Sequence, residues 1–453
     1  MDKKFKEYLE SINQIYHTTI DPKGPGVVRL HLVPPEKIRF GIPWLVIING
    51  QDILPLSLSW AILLKEFIEE VNSRNHPIIS EEDMKTIIDN TVLKVKEIYP
   101  KTDKKMIEND LKDIIDTFVR IARGKKPRFD IGYLDLKHYA KNMSAPHRMD
   151  LMISPMMKNN HWHCNNKCLH CYASGEEFAN FEEISTADWK TIIDKLRLAK
   201  VPQITFTGGE PTLRDDLVEL IEYAKWHVTR LNTNGRLLTK GLCKDLYDAS
   251  LDSVQITVYS EKKEIHNFLV GTDGLNDTLE GIKNAIDAHL NVSVNTPLCT
   301  LNKDYLSLIK FLHEEYNVRY FTCSSLIVSG NAAKDESKET TLLEYELFEI
   351  VKNAKKYCDE NECELSFTTP GAIQDEKLSS LGMTVPMCGA ASSNMGVAPN
   401  GDVIPCQSWL SKDNLGNLLT NDWKTIWNSK RTKAIRKATI RAKKCPLSNG
   451  DCR

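Results

Sequence analysis

Three closely spaced cysteines are the residues of this chain best suited to chemistry. Cys164, Cys168 and Cys171 form a C-x3-C-x2-C pattern within one short segment. Cysteine thiolates are the usual ligands of iron–sulfur clusters, and a [4Fe–4S] cube needs four ligands. Three ligands from one loop would leave one iron open. An open iron can bind and activate a small molecule, whereas a fully ligated cluster mainly transfers electrons.

Zinc is the alternative occupant of the same segment. Zinc sites usually combine two CxxC pairs, or cysteines with additional histidines. The histidines His161, His163 and His170 lie beside the three cysteines and keep zinc open as a minor alternative.

A second motif follows further along the chain. Residues 203–207 read as an apolar, β-branched strand, and the turn Gly208-Gly209-Glu210-Pro211 comes directly after it. Glycines after a strand permit positive φ and close approach of the backbone to a ligand. The carboxylate of Glu210 could accept a hydrogen bond from an ammonium group.

Together these two motifs resemble the signature of the radical S-adenosylmethionine (SAM) superfamily. The resemblance implies a [4Fe–4S] cluster on the three cysteines, with the amino and carboxylate groups of SAM on its open iron. It implies that the G-G-E-P turn binds the SAM amino group. It also implies reductive cleavage of SAM to a 5′-deoxyadenosyl radical, which abstracts a hydrogen atom from the substrate. His170 stands where the family often has an aromatic ring.

The resemblance extends, with weaker motifs, to later strand ends. Asn234 follows the third strand, where the family often has T-N-G. Thr257 and Ser260 are candidates for the hydroxyl that the family places after the fourth strand, and Tyr259 replaces the usual acid there. Asn295 on the fifth strand is a further candidate for a ribose or carboxylate contact. Each could equally be a strand-end residue that makes an ordinary turn bond. No catalytic base is identified.

The middle of the chain alternates predicted strands and helices, which indicates an α/β fold with a parallel sheet and helices outside it. The predicted strands are 148–155, 203–207, 228–231, 253–258, 292–298 and 319–322, with helices near 186–200, 215–227, 239–249, 275–289 and 303–316. Six such units suit the partial (β/α)6 TIM-like barrel that the resemblance implies, over residues 148–340. Parallel barrels carry their chemistry at the carboxyl ends of the strands.

A second group of cysteines lies in the last part of the chain, at Cys388, Cys406, Cys445 and Cys452. Between the first two, Pro399-Asn400-Gly401 predicts a hairpin. This region, residues 386–453, resembles the SPASM extension of radical SAM enzymes in its shortened "twitch" form. The resemblance implies a small cysteine-rich α+β domain with one auxiliary [4Fe–4S] cluster.

The remaining cysteines are assigned from their surroundings. Cys358 and Cys363 are spare candidates for the auxiliary cluster, and Cys243, Cys299 and Cys323 lie in helix or strand patterns typical of small core residues. Residues 341–385 are expected to bridge the barrel and the last domain, with a helix near 342–357 and a short strand, 364–368, leading out of the barrel. A single basic helix is expected near 422–442, and we interpret the basic run 430–444 as a solvated face.

The first 125 residues predict a separate winged-helix-like α+β domain. Strands are expected at 27–33, 38–48 and 52–56 with a hairpin turn at Asn49-Gly50. Helices are expected near 58–71, after a capping box at Ser80-x-x-Asp83, and near 102–123. This order resembles the recognition element of enzymes that modify ribosomal peptides, which adds a leader peptide to a sheet edge. An unrelated lid or dimerisation domain is the alternative. Residues 126–147 read as a linker.

Composition narrows the function classes. The chain has 453 residues, a net charge of −2 and twelve cysteines. This length predicts two or three domains, and the balanced charge gives no general attraction to nucleic acid. No apolar run approaches the roughly eighteen residues of a membrane span, and the first residues lack a signal-peptide pattern. We therefore expect a reduced, cytoplasmic protein.

The sequence thus predicts a radical SAM enzyme that modifies a ribosomally made peptide by forming a thioether, a carbon–carbon crosslink or an epimerised residue. The expected partners are a precursor peptide and a ferredoxin or flavodoxin electron donor. Two alternatives remain. One is a radical SAM enzyme that acts on a folded protein or a small metabolite, although Gln407 stands where sulfatase-maturing relatives carry an aspartate base. The other is a non-catalytic iron–sulfur or zinc scaffold.

Overall fold

The computed structural model describes most of the chain, in two compact units. The described residues are 3–20, 28–39, 41–50, 52–74, 80–123, 125–128, 132, 143–410 and 414–449. Cys452 and most of the predicted linker lie outside them. One unit contains Met1–His147 with Asp194–Gln203 and Ala224–Val228, and the other contains the remaining segments. Among the described helices, none is both long enough and apolar enough to cross a bilayer.

A four-stranded antiparallel sheet forms one layer of the first unit, in the order β1-β2-β3-β4. Its strands are β1 Tyr16–Ile20, β2 Val28–Val33, β3 Trp44–Ile48 and β4 Asp52–Leu56. Asn49 and Gly50 connect β3 to β4 with φ values of 49° and 71°, which confirms the predicted hairpin turn. Strand β1 was not predicted, and the strand expected over 38–48 is shorter.

Helices form the second layer of this unit: α1 Lys3–Ser11, α2 Leu58–Asn72, α3 Glu81–Ile98 and α4 Lys104–Ala122. The start of α3 is a capping box, as predicted. Ser80 Oγ accepts from Asp83 N at 3.1 Å, and the Asp83 carboxylate accepts from Ser80 N at 3.3 Å. Trp44 and Phe67 are both 0% exposed in the core between the layers.

The strands of the second part of the chain are β5 Arg148–Ser154, β6 Met157–Lys158, β7 His161–Trp162, β8 Gln203–Gly208, β9 Val228–Thr233, β10 Ser253–Thr257, β11 Asn291–Pro297, β12 Tyr320–Ser324, β13 Glu364–Phe367, β14 Asn394–Val397 and β15 Val403–Ile404. Nine of them form a larger sheet in the order β13-β12-β11-β10-β9-β8-β5-β14-β15. Strands β9 to β13 run parallel to one another, and β14 runs parallel to β5.

Helices connect most of these strands and follow the last of them. They are α5 Thr186–Ala199, α6 Leu217–Tyr223, α7 Lys240–Asp248, α8 Lys263–Val270, α9 Leu275–Asp287, α10 Tyr305–Tyr316, α11 Asp335–Lys338, α12 Glu344–Glu360, α13 Asp375–Ser380, α14 Trp423–Asn428 and α15 Lys430–Ile440. Helix α8 was not predicted.

The two faces of the large sheet differ in polarity. Val254 and Ile256 of β10 are fully buried on one face, whereas the alternating residues Ser253, Gln255 and Thr257 on the other face are partly exposed. Gln255 Nε2 donates to Thr322 Oγ1 at 3.0 Å, from β10 to β12. In a flat sheet these two residues would be separated by two strand spacings, about 10 Å, and by two further residues along the strand. Because their side chains nevertheless meet, the sheet curves toward them and the polar face is concave. The predicted partial barrel is confirmed.

Three features of this region differ from the sequence prediction. The strand expected to lead out of the barrel, β13, instead pairs with β12 and forms the edge of the sheet. Strand β14, which was assigned to a separate domain, pairs with β5. The single helix expected near 422–442 is two helices, α14 and α15. Ser429 separates them with ψ 152°, and its Oγ accepts from Thr432 N at 3.0 Å as the cap of α15.

The burial of Phe67 generates a stability prediction. Phe67→Ala should lower the free energy of unfolding of the first unit by about 3–5 kcal/mol, because it leaves a cavity in the core. Leu93→Ala is the matched control, since Leu93 of α3 is 53% exposed and surface changes usually cost less than about 0.5 kcal/mol. Urea unfolding followed by limited proteolysis would measure both. Equal losses would contradict the assigned core.

Candidate functional site

The three-cysteine loop is held by backbone hydrogen bonds at the carboxyl end of the barrel strands. Leu169 N donates to Leu269 O at 2.9 Å. Asn331 donates twice to the loop, from Nδ2 to Cys168 O at 3.0 Å and from its backbone N to Cys171 O at 2.8 Å. The peptide groups that flank the thiols therefore already have partners within the chain.

The surroundings of the thiols disfavour their charged forms. Burial raises the pKa of Cys168 well above its usual value, and neighbouring Cys171 and Cys164 raise it further. Burial also raises the pKa of the Cys164 thiol to about 12, and the charge of Arg236 only partly opposes this rise. Three thiolates this close need a cation to stay ionised, and the iron of a cluster supplies one. The donor set therefore fits an iron–sulfur cluster.

No group of three or more His, Cys, Asp or Glu side chains in the described residues is close enough to hold a single metal ion. In a [4Fe–4S] cube, by contrast, each cysteine binds a different iron. His170, one of the histidines considered for zinc, is engaged by a different group, because its Nε2 lies 2.8 Å from Thr340 Oγ1. Burial lowers the pKa of His170 to about 4, so its ring is neutral near pH 7.

The glycine turn after β8 is pressed against the end of β5. Gly209 N donates to Ser154 O at 2.7 Å. A Cβ atom on Gly208 would lie 2.3 Å from Ser154 O, and one on Gly209 would lie 2.7 Å from Pro155 O. Only glycine fits both positions. Cys164 Sγ donates to Gly209 O at 3.3 Å, so the structure brings the two predicted motifs together.

Glu210 links this turn to the end of β9. Its side chain is 1% exposed. Oε1 accepts from Thr212 N at 3.1 Å, from Thr212 Oγ1 at 2.6 Å and from Thr233 Oγ1 at 2.6 Å, while Oε2 accepts from Asn234 N at 2.8 Å. Burial raises the pKa of Glu210, and these bonds oppose the rise. Sequence reasoning missed both threonines and expected the carboxylate to be open to a ligand. Pro211 begins the short 3-10 turn that presents Thr212 to it.

The end of β9 also holds the cysteine loop. Asn234 Nδ2 donates to Asn165 Oδ1 at 2.6 Å. An Arg236 guanidinium nitrogen donates to Asn165 O at 2.7 Å and to Asn166 Oδ1 at 3.1 Å. Arg236 and the two loop asparagines were not predicted. The sequence gives one indication of the two asparagines, because Asn165 and Asn166 lie between two of the cysteines.

The remaining predicted cofactor contacts fall into two groups. Thr257 and Asn295 are neighbours in register at the ends of β10 and β11, and both are partly exposed on the concave face. Ser260 is 5% exposed, and its Oγ accepts from Lys262 N at 3.1 Å. That hydroxyl is therefore used in the turn before α8.

The structure gathers a second set of cysteines in the last part of the chain. Burial raises the pKa of Cys388, and nearby Cys445 raises it further. Burial raises the pKa of Cys406 to about 12, with Cys388 among its neighbours. Cys388 thus lies close enough to both Cys406 and Cys445 for their charges to affect one another, and Cys452 lies outside the described residues. The cysteines predicted as small core residues are all 0% exposed: Cys243, Cys299 and Cys323.

Two protein-family models match this chain. Residues 163–312 match the Radical SAM superfamily, and residues 388–453 match SPASM, an iron–sulfur cluster-binding domain. The first match begins beside Cys164, and the second begins at Cys388. These families imply S-adenosylmethionine and [4Fe–4S] clusters as cofactors.

Curated relatives match the barrel region. Fe-coproporphyrin III synthase of Methanosarcina barkeri is 30% identical over 183 residues, which are 40% of this chain and 46% of that protein. A probable GTP 3′,8-cyclase of Thermococcus kodakarensis is 34% identical over 134 residues, which are 29% of this chain and 43% of that protein. The chain thus spans about half the length of the curated relatives it matches.

A solved structure resembles the chain over most of its length. SuiB of Streptococcus suis has a TM-score of 0.55 and 17% identity, and covers 90% of this chain and 89% of its own. SuiB has also been solved with S-adenosylmethionine and with its precursor peptide SuiA. At this identity the likeness shows the fold. By the two family matches, the chain contains a radical SAM domain over residues 163–312 and a SPASM domain over residues 388–453.

Proposed function

We propose that this protein is a radical SAM enzyme that modifies a ribosomally synthesised peptide. The observation that carries the radical chemistry is the contact between the two motifs, where Cys164 Sγ meets Gly209 O at 3.3 Å. The peptide substrate is supported by the first unit and by the likeness over 90% of the chain to SuiB, which has been solved with its precursor peptide.

Cys164, Cys168 and Cys171 would be the ligands of the SAM-binding cluster. When bound, the cluster and SAM would supply reductive cleavage of the sulfonium and a 5′-deoxyadenosyl radical for hydrogen-atom abstraction. The chain's own contribution is to hold the loop in place before the cofactors bind. Asn331 fixes the carbonyl groups of Cys168 and Cys171, so the thiols are oriented in advance and less ordering is needed on binding.

The turn Gly208-Gly209-Glu210-Pro211 would bind the amino group of SAM. Because four donors of the chain already occupy the Glu210 carboxylate, its part is to fix the turn. The main-chain carbonyls of the turn are then the acceptors offered to an ammonium group. Asn234, Thr257 and Asn295 would contact the carboxylate or ribose of SAM. We retain Ser260 as a weaker candidate, because its hydroxyl already accepts from Lys262 N.

Cys388, Cys406, Cys445 and Cys452 would hold one auxiliary [4Fe–4S] cluster. Four thiolates suffice to close one such cluster. The auxiliary cluster would accept an electron or position the substrate. Cleavage of SAM also requires an electron of low potential, so we propose a cytoplasmic ferredoxin or flavodoxin as the donor.

The first unit would recognise the leader part of the peptide by adding it to a sheet edge. A strand added in this way is held by main-chain hydrogen bonds, and side-chain pockets give selectivity. The two edges of the small sheet are β1 and β4. Strand β4 contains Pro55, which lacks an N–H and is typical of edges that resist pairing. We therefore assign the peptide to β1.

A small-molecule substrate is the second candidate. It is favoured by the curated relatives, whose names give a porphyrin and a nucleotide as the compounds concerned and whose identity to the barrel is 30% and 34%. The candidates differ in what triggers turnover. If the substrate is a peptide, one encoded beside the gene should change in mass under anaerobic turnover conditions or, on epimerisation, in chromatographic retention. If the substrate is a small molecule, the peptide should keep both its mass and its retention.

Removing one cluster ligand tests the radical site. Cys168→Ala should abolish formation of 5′-deoxyadenosine from SAM in anaerobically reconstituted, reduced protein, because two thiolates do not hold the cube. Cys243→Ala is the matched control, since Cys243 is a fully buried cysteine of α7. Chromatography of the nucleoside product measures both variants. Normal product from Cys168→Ala would show that the cluster ligands are wrongly assigned.

Removing an auxiliary ligand should have a different signature. Cys406→Ala should lower the iron content by about four atoms per chain, the number in one cube, while SAM binding is retained. Cys323→Ala is the control, because Cys323 is 0% exposed in β12. Iron and protein are quantified on the same sample. An iron content equal to that of the Cys323→Ala control would remove Cys406 from the auxiliary site.

Hydrogen exchange tests the leader-binding edge. A synthetic peptide encoded by a short reading frame beside the gene should slow amide exchange at residues 16–20, because the free N–H groups of β1 would become hydrogen-bonded. Residues 52–56 of the opposite edge serve as the internal control and should not change. Exchange is read by mass spectrometry of peptic fragments. Protection of β4 instead of β1, or of neither, would refute this assignment.

A further inference from the structure

An arginine without an ion-pair partner among the described residues lies on the concave face, toward the amino end of β9. Arg230 of β9 lies beside Ser253 of β10 in the parallel register. Its Nε donates to Ser253 Oγ at 3.1 Å. Within the described part of the chain, no carboxylate lies within ion-pair distance of Arg230, and no other hydrogen bond engages its guanidinium. Four of its five N–H donors therefore remain available.

The acidic groups near Arg230 are engaged by other partners. Asp150 of β5 is 1% exposed and lies 3.1 Å from Nε of Arg148, and Asp252 accepts from Thr229 N at 2.8 Å. Burial, and then the charge of Arg148, lower the pKa of Arg230, whereas Asp150 and Asp252 raise it. A guanidinium stays protonated at physiological pH all the same. A partly buried guanidinium with unused N–H donors is costly, and an anionic ligand would satisfy those donors.

A free acceptor lies on the same face, one step closer to the cysteine loop. Asn232 Oδ1 is buried and has no hydrogen-bond partner. Gln255 is its neighbour in register, but the Gln255 amide donates to Thr322 instead. Residues two apart on a strand share a face and lie about 7 Å apart. Arg230 and Asn232 are therefore complementary to a ligand that carries a carboxylate and, a few ångströms away, an N–H group.

The direction of β9 places this pair relative to the cofactor site. The next residue of the series, Asn234, bonds to Asn165 of the cysteine loop at 2.6 Å. A ligand held by Arg230 and Asn232 would therefore extend along β9 toward the site of hydrogen abstraction. A glutamate or aspartate residue within a peptide carries a side-chain carboxylate and a nearby backbone N–H, which are the two groups required.

We propose that Arg230 and Asn232 form a substrate subsite that anchors an acidic residue of the peptide. Arg230 would bind the carboxylate through two parallel N–H···O bonds, and Asn232 Oδ1 would accept from the adjacent peptide N–H. The subsite rests on the proposed function for its peptide substrate, and it adds that the modified segment is acidic near the reacting position.

Arginine labelling of the full-length, anaerobically reconstituted protein tests the subsite without requiring turnover. Phenylglyoxal modifies accessible guanidinium groups, and mass spectrometry of digests reports each arginine separately. N-acetyl-glutamate α-amide and N-acetyl-glutamine α-amide are the probes, because they differ only in the side-chain carboxylate. The glutamate probe should slow labelling of Arg230 several-fold, and the glutamine probe should leave it unchanged. Arg319, whose side chain is 47% exposed, is the internal control and should label equally with both.

Two results would overturn the proposal. One is equal labelling of Arg230 with both probes, and the other is an unreactive Arg230 in the free protein while Arg319 reacts. Asn232→Ala should raise the concentration of the glutamate probe needed for protection, and an unchanged concentration would remove Asn232 from the subsite.

The same experiment separates the subsite from the proposed function. Protection of Arg230 by the glutamate probe in a protein that modifies no peptide would support the subsite and make its ligand a small carboxylate. Peptide modification that survives Arg230→Gln, together with no protection by the probe, would leave the proposed function intact and refute the subsite.

Discussion

Three closely spaced, partly buried thiols on one loop do not all ionise without a neighbouring cation, and the structure around Cys164, Cys168 and Cys171 depends on this electrostatic constraint. Burial and the mutual proximity of the sulfurs both disfavour the thiolate forms. The surrounding chain supplies hydrogen bonds to the loop, but these mostly engage its backbone, and the charge of Arg236 offsets the burial of Cys164 only in part. A metal cluster would supply the positive charge that stabilises the three thiolates. The match of residues 163–312 to the radical SAM superfamily implies that this group is a [4Fe–4S] cluster.

The second requirement is that the loop and the glycine turn stay in contact. Gly208 and Gly209 allow β5 and β8 to approach at their ends, where any Cβ atom would collide with the backbone of Ser154 or Pro155. Glu210 then ties the turn to β9 through Thr233 and Asn234. Three strand ends are thus connected by main-chain atoms and one buried carboxylate. This explains how a site assembled from distant parts of the sequence can be ordered before its cofactors bind.

The features that could be predicted from the sequence are those that depend on residues close together in the chain. The cysteine spacing, the G-G-E-P turn, the Asn49-Gly50 hairpin and the Ser80 capping box all follow from neighbours within a few positions. Most of the features it missed depend on tertiary contacts. Strand β13 pairs with β12 from a distant part of the sequence, and Thr233 and Asn234 reach Glu210 from the end of another strand. Two missed features are local, since Thr212 lies two residues after Glu210 and Ser429 caps α15 through Thr432 N.

If the three-cysteine loop holds a cluster with one iron open to S-adenosylmethionine, binding of that cofactor should change the spectrum of the cluster. Electron paramagnetic resonance of the reduced, reconstituted protein, recorded with and without S-adenosylmethionine, measures this change. The signal of one cluster should shift when S-adenosylmethionine is added, and Cys168→Ala should lose this signal. A spectrum that S-adenosylmethionine leaves unchanged would show that no iron of the loop is open to it.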